Sequence, residues 1–254
     1  MMAKRGLAVP ASVDKQHLLA ASIAGRTPDM VAVWAPGLAL DVSVVRDLVA
    51  LDIQPLVYAQ TARWGATDIL AGHYDAEIDA FAHKLIQFGR IIVRVNQEAN
   101  GPGLRAEWNT WPEATYIAVW RYIERRIHAI APDVRLAYCI TWRGKDHRDD
   151  FARWYPGHDA CQIVGFDSYV TNPIQRPSRI WPVAIRTIRE TTPSKPIWVF
   201  EAGVSRWVPF RGRKLREMQR VEGLEGVVYM DMDLEHYGAR HRWALNERLR
   251  RLWR

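Results

Sequence analysis

The chain has 254 residues, 48% of them hydrophobic, and a formal net charge of +7. This length and hydrophobic content can bury a large core, and they exclude a disordered chain. No apolar run approaches the roughly 20 residues that cross a bilayer, and residues 1–12 lack the apolar segment and cleavage site of a signal peptide. We therefore expect no membrane partner and a protein that is cytoplasmic or released by another route.

The positive charge raises the alternative of polyanion binding, because clustered Lys and Arg release counterions from nucleic acids and similar polymers. Here the charge is mostly dispersed, and the dense basic stretches are residues 211–220 and 248–254. Surface helices often carry such faces. We therefore favour a solvated basic surface and expect no nucleic-acid partner, with polyanion binding kept as the alternative.

The cysteines and tryptophans carry further information. Cys139 and Cys161 fall on different predicted strands, so we expect two buried thiols and no disulfide. Twelve tryptophans suit a cleft that stacks against sugar rings, although some of them must belong to the core. The sequence contains no phosphate-binding loop, dinucleotide fingerprint or serine nucleophile elbow, and we expect no cofactor.

Apolar runs alternate with helical patterns through the first half of the chain. The predicted strands are residues 6–10, 30–35, 54–60 and 91–95. The predicted helices are residues 13–24, residues 42–51 capped by Asp41, and residues 76–88. The alternation is typical of an α/β protein.

The second half continues this alternation. Thr110 and Glu113 form a plausible capping box for a long helix whose buried stripe is Tyr116, Ile117, Trp120, Ile123, Ile127 and Ile130. The later predicted strands are residues 134–142, 161–169, 196–201 and 226–231. The later predicted helices are residues 149–155, 179–190, 213–221 and 241–253.

Eight strands, each followed by a helix or loop, predict a (β/α)₈ TIM barrel, and about 250 residues is the usual size of that fold. We find no linker, so residues 1–254 form a single predicted domain, which we expect to be a monomer. A doubly wound open sheet is the alternative. It would require a glycine-rich turn after the first strand, and Pro10, Ala11 and Ser12 do not supply one.

Two predicted strands end in a glutamate followed by small residues. Glu98 follows the fourth strand and Glu201 ends the seventh. The catalytic groups of TIM barrels come from the carboxyl ends of strands, so both carboxylates would face one mouth. The alternative for each is an ordinary surface salt bridge at a strand end. The matching position of the pair favours catalysis.

Strand alternation assigns the neighbours of these glutamates to the two faces of the barrel wall. The side chains predicted to face inward are Ile92, Arg94, Asn96 and Glu98 on the fourth strand and Ile197, Val199 and Glu201 on the seventh. Trp198 and Phe200 would then face the helices.

A pair of carboxyl groups about 5 to 5.5 Å apart can cleave a glycosidic bond, one as proton donor and one as nucleophile. An ionised Glu201 would raise the pKa of Glu98 by repulsion and keep a proton on it. Arg94 or Tyr169 could hold Glu201 in the ionised state. We therefore predict a glycosidase that acts on a polysaccharide or oligosaccharide.

Residues 94–101, RVNQEANG, resemble the acid/base motif of glycoside hydrolase family 26, which contains β-mannanases. In that motif an arginine stands four residues before the catalytic glutamate, and Asn-Gly follows it. Arg94, Glu98, Asn100 and Gly101 match. Residues 119–138, 154–170 and 195–204 resemble later segments of the family in the same order.

The resemblance implies a clan A barrel and a retaining mechanism. It implies Glu98 as the acid/base, Glu201 as the nucleophile and Tyr169 as a neighbour of the nucleophile. The sequence departs from the family pattern at Gln97, where the family usually has histidine, and at Ala99, where it usually has methionine. These departures leave the sugar specificity open, and they motivate the alternative of a carbohydrate-binding barrel that has lost catalysis.

Other residues are candidates for contact with sugar. The candidate platforms, each at or just beyond a strand end, are Trp34, Trp64, Trp108, Trp111 and Trp142, with Trp142 the first choice. The candidate polar contacts are Arg94, Asn96, Gln97, Asp167, Tyr169 and Asp231. Core packing is the alternative for each tryptophan, and capping of a turn is the alternative for each aspartate.

A polar cluster after the last strand is a rival site. It consists of Asp231, Asp233, Glu235, His236 and His241. Carboxylates and histidines can bind a divalent metal, but this spacing matches no metal motif and leads directly into a basic helix. We therefore favour surface polarity for this cluster and predict no metal.

Overall fold

The structure is a computed structural model that describes residues 3–8, 28–61, 63–89, 91–101, 107–142 and 147–230. Eight parallel strands form a closed barrel in chain order, with the last strand paired to the first. The strands are β1 (Lys4–Ala8), β2 (Met30–Pro36), β3 (Gln54–Gln60), β4 (Ile92–Val95), β5 (Arg135–Thr141), β6 (Ile163–Val170), β7 (Ile197–Val204) and β8 (Gly226–Met230). The predicted (β/α)₈ barrel is confirmed.

Seven α-helices lie in the described part of the chain. They are α1 (Val42–Ala50), α2 (Ala66–Leu70), α3 (Asp75–Leu85), α4 (Glu113–Ile130), α5 (Asp150–Trp154), α6 (Pro177–Thr191) and α7 (Arg211–Gln219). Short 3₁₀ helices cover Ile86–Phe88 and Glu107–Thr110. The predicted helices at residues 13–24 and 241–253 lie outside the described residues. None of the described helices is long and apolar enough to cross a membrane.

The ends of two helices test the sequence signals. Asp41 caps α1 as predicted, because its carboxylate accepts hydrogen bonds from the backbone N–H groups of Ser43 and Val44. The predicted capping box of α4 is wrong. Thr110 belongs to the preceding 3₁₀ helix, and the N-cap of α4 is Pro112, whose side chain cannot accept a hydrogen bond.

The barrel wall separates a small inner cluster of side chains from a larger outer cluster that packs against the helices. On β7 the predicted faces are reversed. Trp198 and Phe200 belong to the inner cluster, whereas Ile197 and Val199 belong to the outer one. Parallel strands are buried on both faces, so an unbroken apolar run carries little information about which residues point inward.

A β-bulge in β7 restores the inward position of Glu201. Phe166 of β6 pairs with Val199, but the next residue, Asp167, pairs with Glu201, so Phe200 is an extra residue in the register. Such a bulge shifts the phase of the side chains that follow it. Glu201 therefore faces the interior although its neighbour Phe200 does so as well.

Glycines on the neighbouring strands allow the close approach of the β7 backbone and make room for the Trp198 indole. A Cβ atom on Gly165 of β6 would lie 2.0 Å from the carbonyl oxygen of Trp198, and one on Gly226 of β8 would lie 2.6 Å from its indole ring. A barrel interior is a packed core, so a large side chain requires small neighbours. Cys139 and Cys161 are buried free thiols, as predicted.

Candidate active site

Arg94 is the central cation of the carboxyl end of the barrel. It projects inward from β4 and is fully buried, with 0% of its side chain exposed. Its guanidinium carbon lies 4.5 Å from the centre of the Tyr58 ring and 5.6 Å from that of Phe200. A guanidinium can stack on aromatic faces and still donate hydrogen bonds through its edge.

The edge of Arg94 binds two carboxylates, one from β6 and one from β7. Nη1 donates to Oε1 of Glu201 at 2.8 Å, and Nη2 donates to Oδ2 of Asp167. The Tyr169 hydroxyl donates to the other oxygen of Glu201, Oε2. Both oxygens of Glu201 therefore have a donor, which fixes the orientation of the carboxylate.

Tyr58 stabilises the bulge that carries Glu201. Its hydroxyl group donates to the backbone carbonyl of Phe200, the residue that the bulge removes from the register of β6 and β7. A buried carbonyl without a partner costs free energy, so this bond from β3 helps to maintain the bulge. The position of Glu201 thus depends on a side chain across the barrel.

Glu98 reaches the mouth through a tight turn. Regular alternation ends at Val95, because Asn96 and Glu98 have positive φ angles of 40° and 56°. The side chain of Asn96 accepts hydrogen bonds from the backbone N–H and hydroxyl of Thr61, so it joins the ends of β3 and β4. The backbone N–H of Glu98 donates to the carbonyl of Cys139 at 3.1 Å.

The Asn-Gly pair of the motif supports this turn. Asn100 accepts a hydrogen bond from the backbone N–H of Thr141 and donates to its carbonyl and to the Asp150 carboxylate. A Cβ atom on Gly101 would lie 3.0 Å from the carbonyl oxygen of Glu98, which is tight for any other residue. Asn100 therefore joins the turn to the end of β5, and Gly101 lets the backbone pass closely.

Glu98 has a strongly perturbed carboxyl group. Burial and, next, the negative charge of Glu201 raise its pKa from 4.5 to about 7. The charge of Arg94 and hydrogen bonding with Thr141 act in the opposite direction. Glu98 is therefore protonated in a large fraction of molecules near neutral pH and can act as a general acid.

Asp167 adds a third carboxyl group to the same cluster. Burial raises its pKa although Arg94 opposes the change, and its Oδ1 accepts a hydrogen bond from the Cys139 thiol at 3.3 Å. Three ionised carboxylates around one guanidinium would leave two uncompensated charges in a buried site, which is costly. The cluster therefore retains a proton near neutral pH.

The structure places the candidate platforms at different depths. Trp34 belongs to the inner cluster, is partly exposed and meets the edge of Tyr58 with ring centres 5.0 Å apart. Trp142 is 1% exposed and packs with the outer cluster, as does the buried Trp111. Trp64 stacks on Tyr74 at 4.2 Å, also against the outer cluster.

Among the described candidates, Trp34 lies with the inner cluster. Trp64, Trp111 and Trp142 pack with the outer cluster, which favours a structural role for them. Gln97 is buried beside Glu98 in sequence. Asp231 and the side chain of Trp108 lie outside the described part of the chain. The polar cluster for which we favoured surface polarity (Asp231, Asp233, Glu235, His236 and His241) also lies there, and the described residues contain no group of three side chains that could hold a metal ion.

Sequence reasoning missed several residues of the site. Tyr58 and Cys139 both point inward, and the alternation of β3 and β5 carries that signal once the face of one residue is known. Thr141 contributes to the electrostatics of Glu98 and binds the Asn100 side chain through its backbone. No local motif marks these residues, because their roles depend on contacts between strands distant in the sequence.

Comparison with known proteins adds information at the level of structure. No protein-family model matches the sequence, and no curated protein resembles it in sequence. Among solved structures, a family 26 β-mannanase from Bacteroides ovatus superposes with a TM-score of 0.72 at 14% identity, covering 99% of this chain and 86% of that one. A modular endo-β-1,4-mannanase from Cellulomonas fimi gives a TM-score of 0.75 at 14% identity, covering 99% and 70%.

A β-glycosidase from Pyrococcus horikoshii is more distant, with a TM-score of 0.57 at 11% identity over 86% of this chain and 74% of that one. These likenesses extend over most of the chain while the identities stay low. They therefore establish the architecture rather than the chemistry. The chain has a glycosidase-like (β/α)₈ barrel with the fold of the glycoside hydrolase family 26 β-mannanases.

Proposed function

We propose that the protein is a retaining glycoside hydrolase in which Glu98 is the acid/base and Glu201 the nucleophile. The observation that carries this proposal is the contrast between the two carboxyl groups. Both oxygens of Glu201 accept hydrogen bonds from Arg94 or Tyr169, whereas the pKa of Glu98 is raised to about 7. Two carboxyl groups in such different environments are suited to different roles.

The first step transfers the sugar to the enzyme. A carboxylate oxygen of Glu201 attacks the anomeric carbon, and the bond from that carbon to the leaving oxygen breaks. Glu98 donates its proton to the leaving oxygen, which departs as an alcohol. Glu98 is then ionised and can serve as a base.

The second step releases the sugar. Glu98 takes a proton from a water molecule, the water oxygen attacks the anomeric carbon, and the ester bond to Glu201 breaks. The carboxylate of Glu201 is restored, and Glu98 is again protonated. Because each step inverts the anomeric carbon, the product has the configuration of the substrate.

Arg94 and Tyr169 support both steps through Glu201. They donate to opposite oxygens of its carboxylate, so they orient the attacking oxygen and stabilise the charge that returns when the ester bond breaks. Tyr169 also faces the inner cluster from the end of β6. These two residues are therefore positioning groups for the nucleophile.

A polysaccharide or oligosaccharide is the proposed substrate class. Trp34 is the proposed platform for one sugar ring, because it is partly exposed and its ring packs at 72° to that of Tyr58 in the inner cluster. β-Mannan is the first polymer to test, since the structural neighbours include β-mannanases.

The test is the release of reducing ends from a panel of polysaccharides by the wild type, Glu98→Gln and Glu201→Gln. Glu113→Gln is a matched control, since Glu113 pairs with Arg153 on the surface. We expect both site variants to lose activity and the control to retain it. Unchanged turnover in either site variant would contradict the assignment.

A second measurement tests the stereochemistry. Proton NMR of the first product formed should show the anomeric configuration of the substrate, and inversion would contradict the double displacement. Binding of a polysaccharide by the wild type without any release of reducing ends would instead favour a carbohydrate-binding barrel.

A further inference from the structure

Two neighbouring loops extend the barrel wall next to the proposed nucleophile. Residues 171–176 follow β6, which carries Tyr169, and residues 205–210 follow β7, which carries Glu201. The backbone N–H of Ser205 donates to the carbonyl of Val170 at 2.9 Å, so the loops begin side by side. A surface formed by these loops is continuous with the candidate active site.

These loops carry the most exposed large apolar side chains in the described part of the chain. Ile174 is 89% exposed, Phe210 81% and Trp207 68%. A backbone turn exposes Trp207. The N–H of Val208 donates to the carbonyl of Ser205, which places Trp207 at the tip of this turn. Exposed apolar groups rimmed by polar residues often mark binding sites.

The same region is rich in cations. The sequence contains no Asp or Glu in residues 171–189 or 202–216. Arg206 lies over the Trp207 ring, with its guanidinium carbon 4.5 Å from the ring centre. An arginine that stacks through its planar face can still donate through its edge to a carboxylate or sulfate.

Lys214 connects the first loop to α7, the helix that directly follows the second loop. Its Nζ donates to the backbone carbonyls of Pro173 and Gln175. Burial lowers the pKa of Lys214, the charge of Glu217 opposes this change, and the charges of Arg176 and Arg213 act in the same direction as burial. Glu217 also pairs with Arg213 at 3.5 Å, so Arg176, Lys214 and Arg213 surround one carboxylate and keep a positive balance. The loops therefore form one basic surface that also presents an aromatic ring.

We propose that this surface is a subsite for an anionic sugar residue of the substrate, with Trp207 stacking on the ring and Arg206 binding the acidic group. The proposal rests on the proposed glycosidase activity and narrows its substrate class to acidic polysaccharides. A neutral sugar would stack on the ring but would gain nothing from the guanidinium of Arg206, and neither loop carries an Asp or Glu to neutralise that charge. A nucleic acid is the other polyanion that such a surface could bind, and we favour a sugar because the barrel has the fold of the family 26 β-mannanases.

The test is binding to Glu98→Gln, which cannot consume the ligand. The probes are polygalacturonate and alginate, each compared with its own carboxyl-reduced derivative, and a single-stranded DNA oligonucleotide, all by affinity electrophoresis or calorimetry at two salt concentrations. Trp207→Ala and Arg206→Gln are added to this background. Leu51→Ala and Arg46→Gln are the matched controls, since both side chains are exposed at or near α1.

We expect at least one acidic polymer to bind more tightly than its reduced derivative. Trp207→Ala and Arg206→Gln should each weaken that binding by about tenfold, the loss typical of a stacked ring or a charged hydrogen bond, and the controls should leave it unchanged. We call Trp207→Ala and Arg206→Gln the rim variants. The proposal is overturned if no acidic polymer binds more tightly than its carboxyl-reduced derivative, or if the rim variants bind the polymer as tightly as the control variants do.

Three further outcomes are distinguishable. Tighter binding of DNA than of any glycan, lost in the same rim variants, would replace the acidic glycan with a nucleic acid and overturn the proposal. Binding of an acidic polymer that depends on Trp207 and Arg206, with no release of reducing ends from any polysaccharide of the panel by the wild type, would refute the glycosidase activity and retain the binding surface. Hydrolysis that is unaffected by the rim variants, with no preference for acidic polymers, would retain the activity and refute the subsite.

Discussion

Glu98→Gln should make the protein more stable at alkaline pH while it abolishes the proposed activity. The folded protein raises the pKa of Glu98 from its ordinary value of 4.5 to about 7. At about 1.36 kcal/mol for each tenfold change in equilibrium constant, the ionised carboxylate costs about 3 kcal/mol of folding free energy. Glutamine has nearly the same volume and cannot ionise, so it removes this cost.

The dependence on pH identifies the cause. Below pH 4.5 the carboxyl group is protonated in both the folded and the unfolded chain, and no cost arises. As the pH rises, Glu98 releases its proton first in the unfolded chain. Its contribution to the stability of the wild type therefore falls until the pH exceeds about 7. Relative to its value at pH 4, the advantage of the variant should reach about 2 kcal/mol at pH 6 and about 3 kcal/mol at pH 8.

Urea denaturation of the wild type and Glu98→Gln at four pH values measures this difference. Glu222→Gln, at an exposed site on the loop before β8, should show no comparable trend. A stability difference between the wild type and Glu98→Gln that stays constant from pH 4 to pH 8 would refute the reasoning, because a group with an ordinary pKa produces no such slope.

Three other variants test the architecture of the site. Arg94→Leu should cost about 3 to 5 kcal/mol in urea denaturation at pH 8, because it leaves Glu201 and its neighbours without a buried counter-charge; a loss below 1 kcal/mol would show that the pairing is dispensable. Tyr169→Phe should lower kcat/KM by about 10- to 100-fold, with little change in melting temperature, since it removes a donor to the nucleophile. Gly165→Ala should cost about 3 kcal/mol or prevent folding, because its Cβ would collide with the Trp198 carbonyl, and a stable variant would contradict this packing.

Much of the barrel follows from the sequence because strands and helices have different periods. The third strand was predicted at residues 54–60 and is observed at Gln54–Gln60, where a strong apolar run is bounded by polar residues. The cap of α1 follows from the preference of aspartate for the first position of a helix. These signals are local, so they can be read without knowledge of the tertiary structure.

The direction of the side chains on β7 could not be read in the same way. Both faces of the strand are buried and apolar, so no local pattern indicates that the Trp198 indole fills the space beside Gly226. The bulge at Phe200 is stabilised by a hydrogen bond from Tyr58, a residue 142 positions away. Features that depend on such distant partners leave no local pattern.

The departure from the family motif at Gln97 has a limited consequence for the turn that carries Glu98. The backbone of Glu98 is held by the carbonyl of Cys139, and Asn100 joins the turn to the end of β5. These bonds use the backbone and the Asn100 side chain, so we expect exchange of the side chain at position 97 to leave Glu98 in place. Substitution at Gln97 should therefore alter which sugar binds, measured as KM across a polysaccharide panel, more than it alters the pKa of Glu98, which depends on burial and on Glu201. If the stability gained by Glu98→Gln between pH 4 and pH 8 disappeared in a Gln97→Ala background, the side chain of Gln97 would help to set the pKa of Glu98.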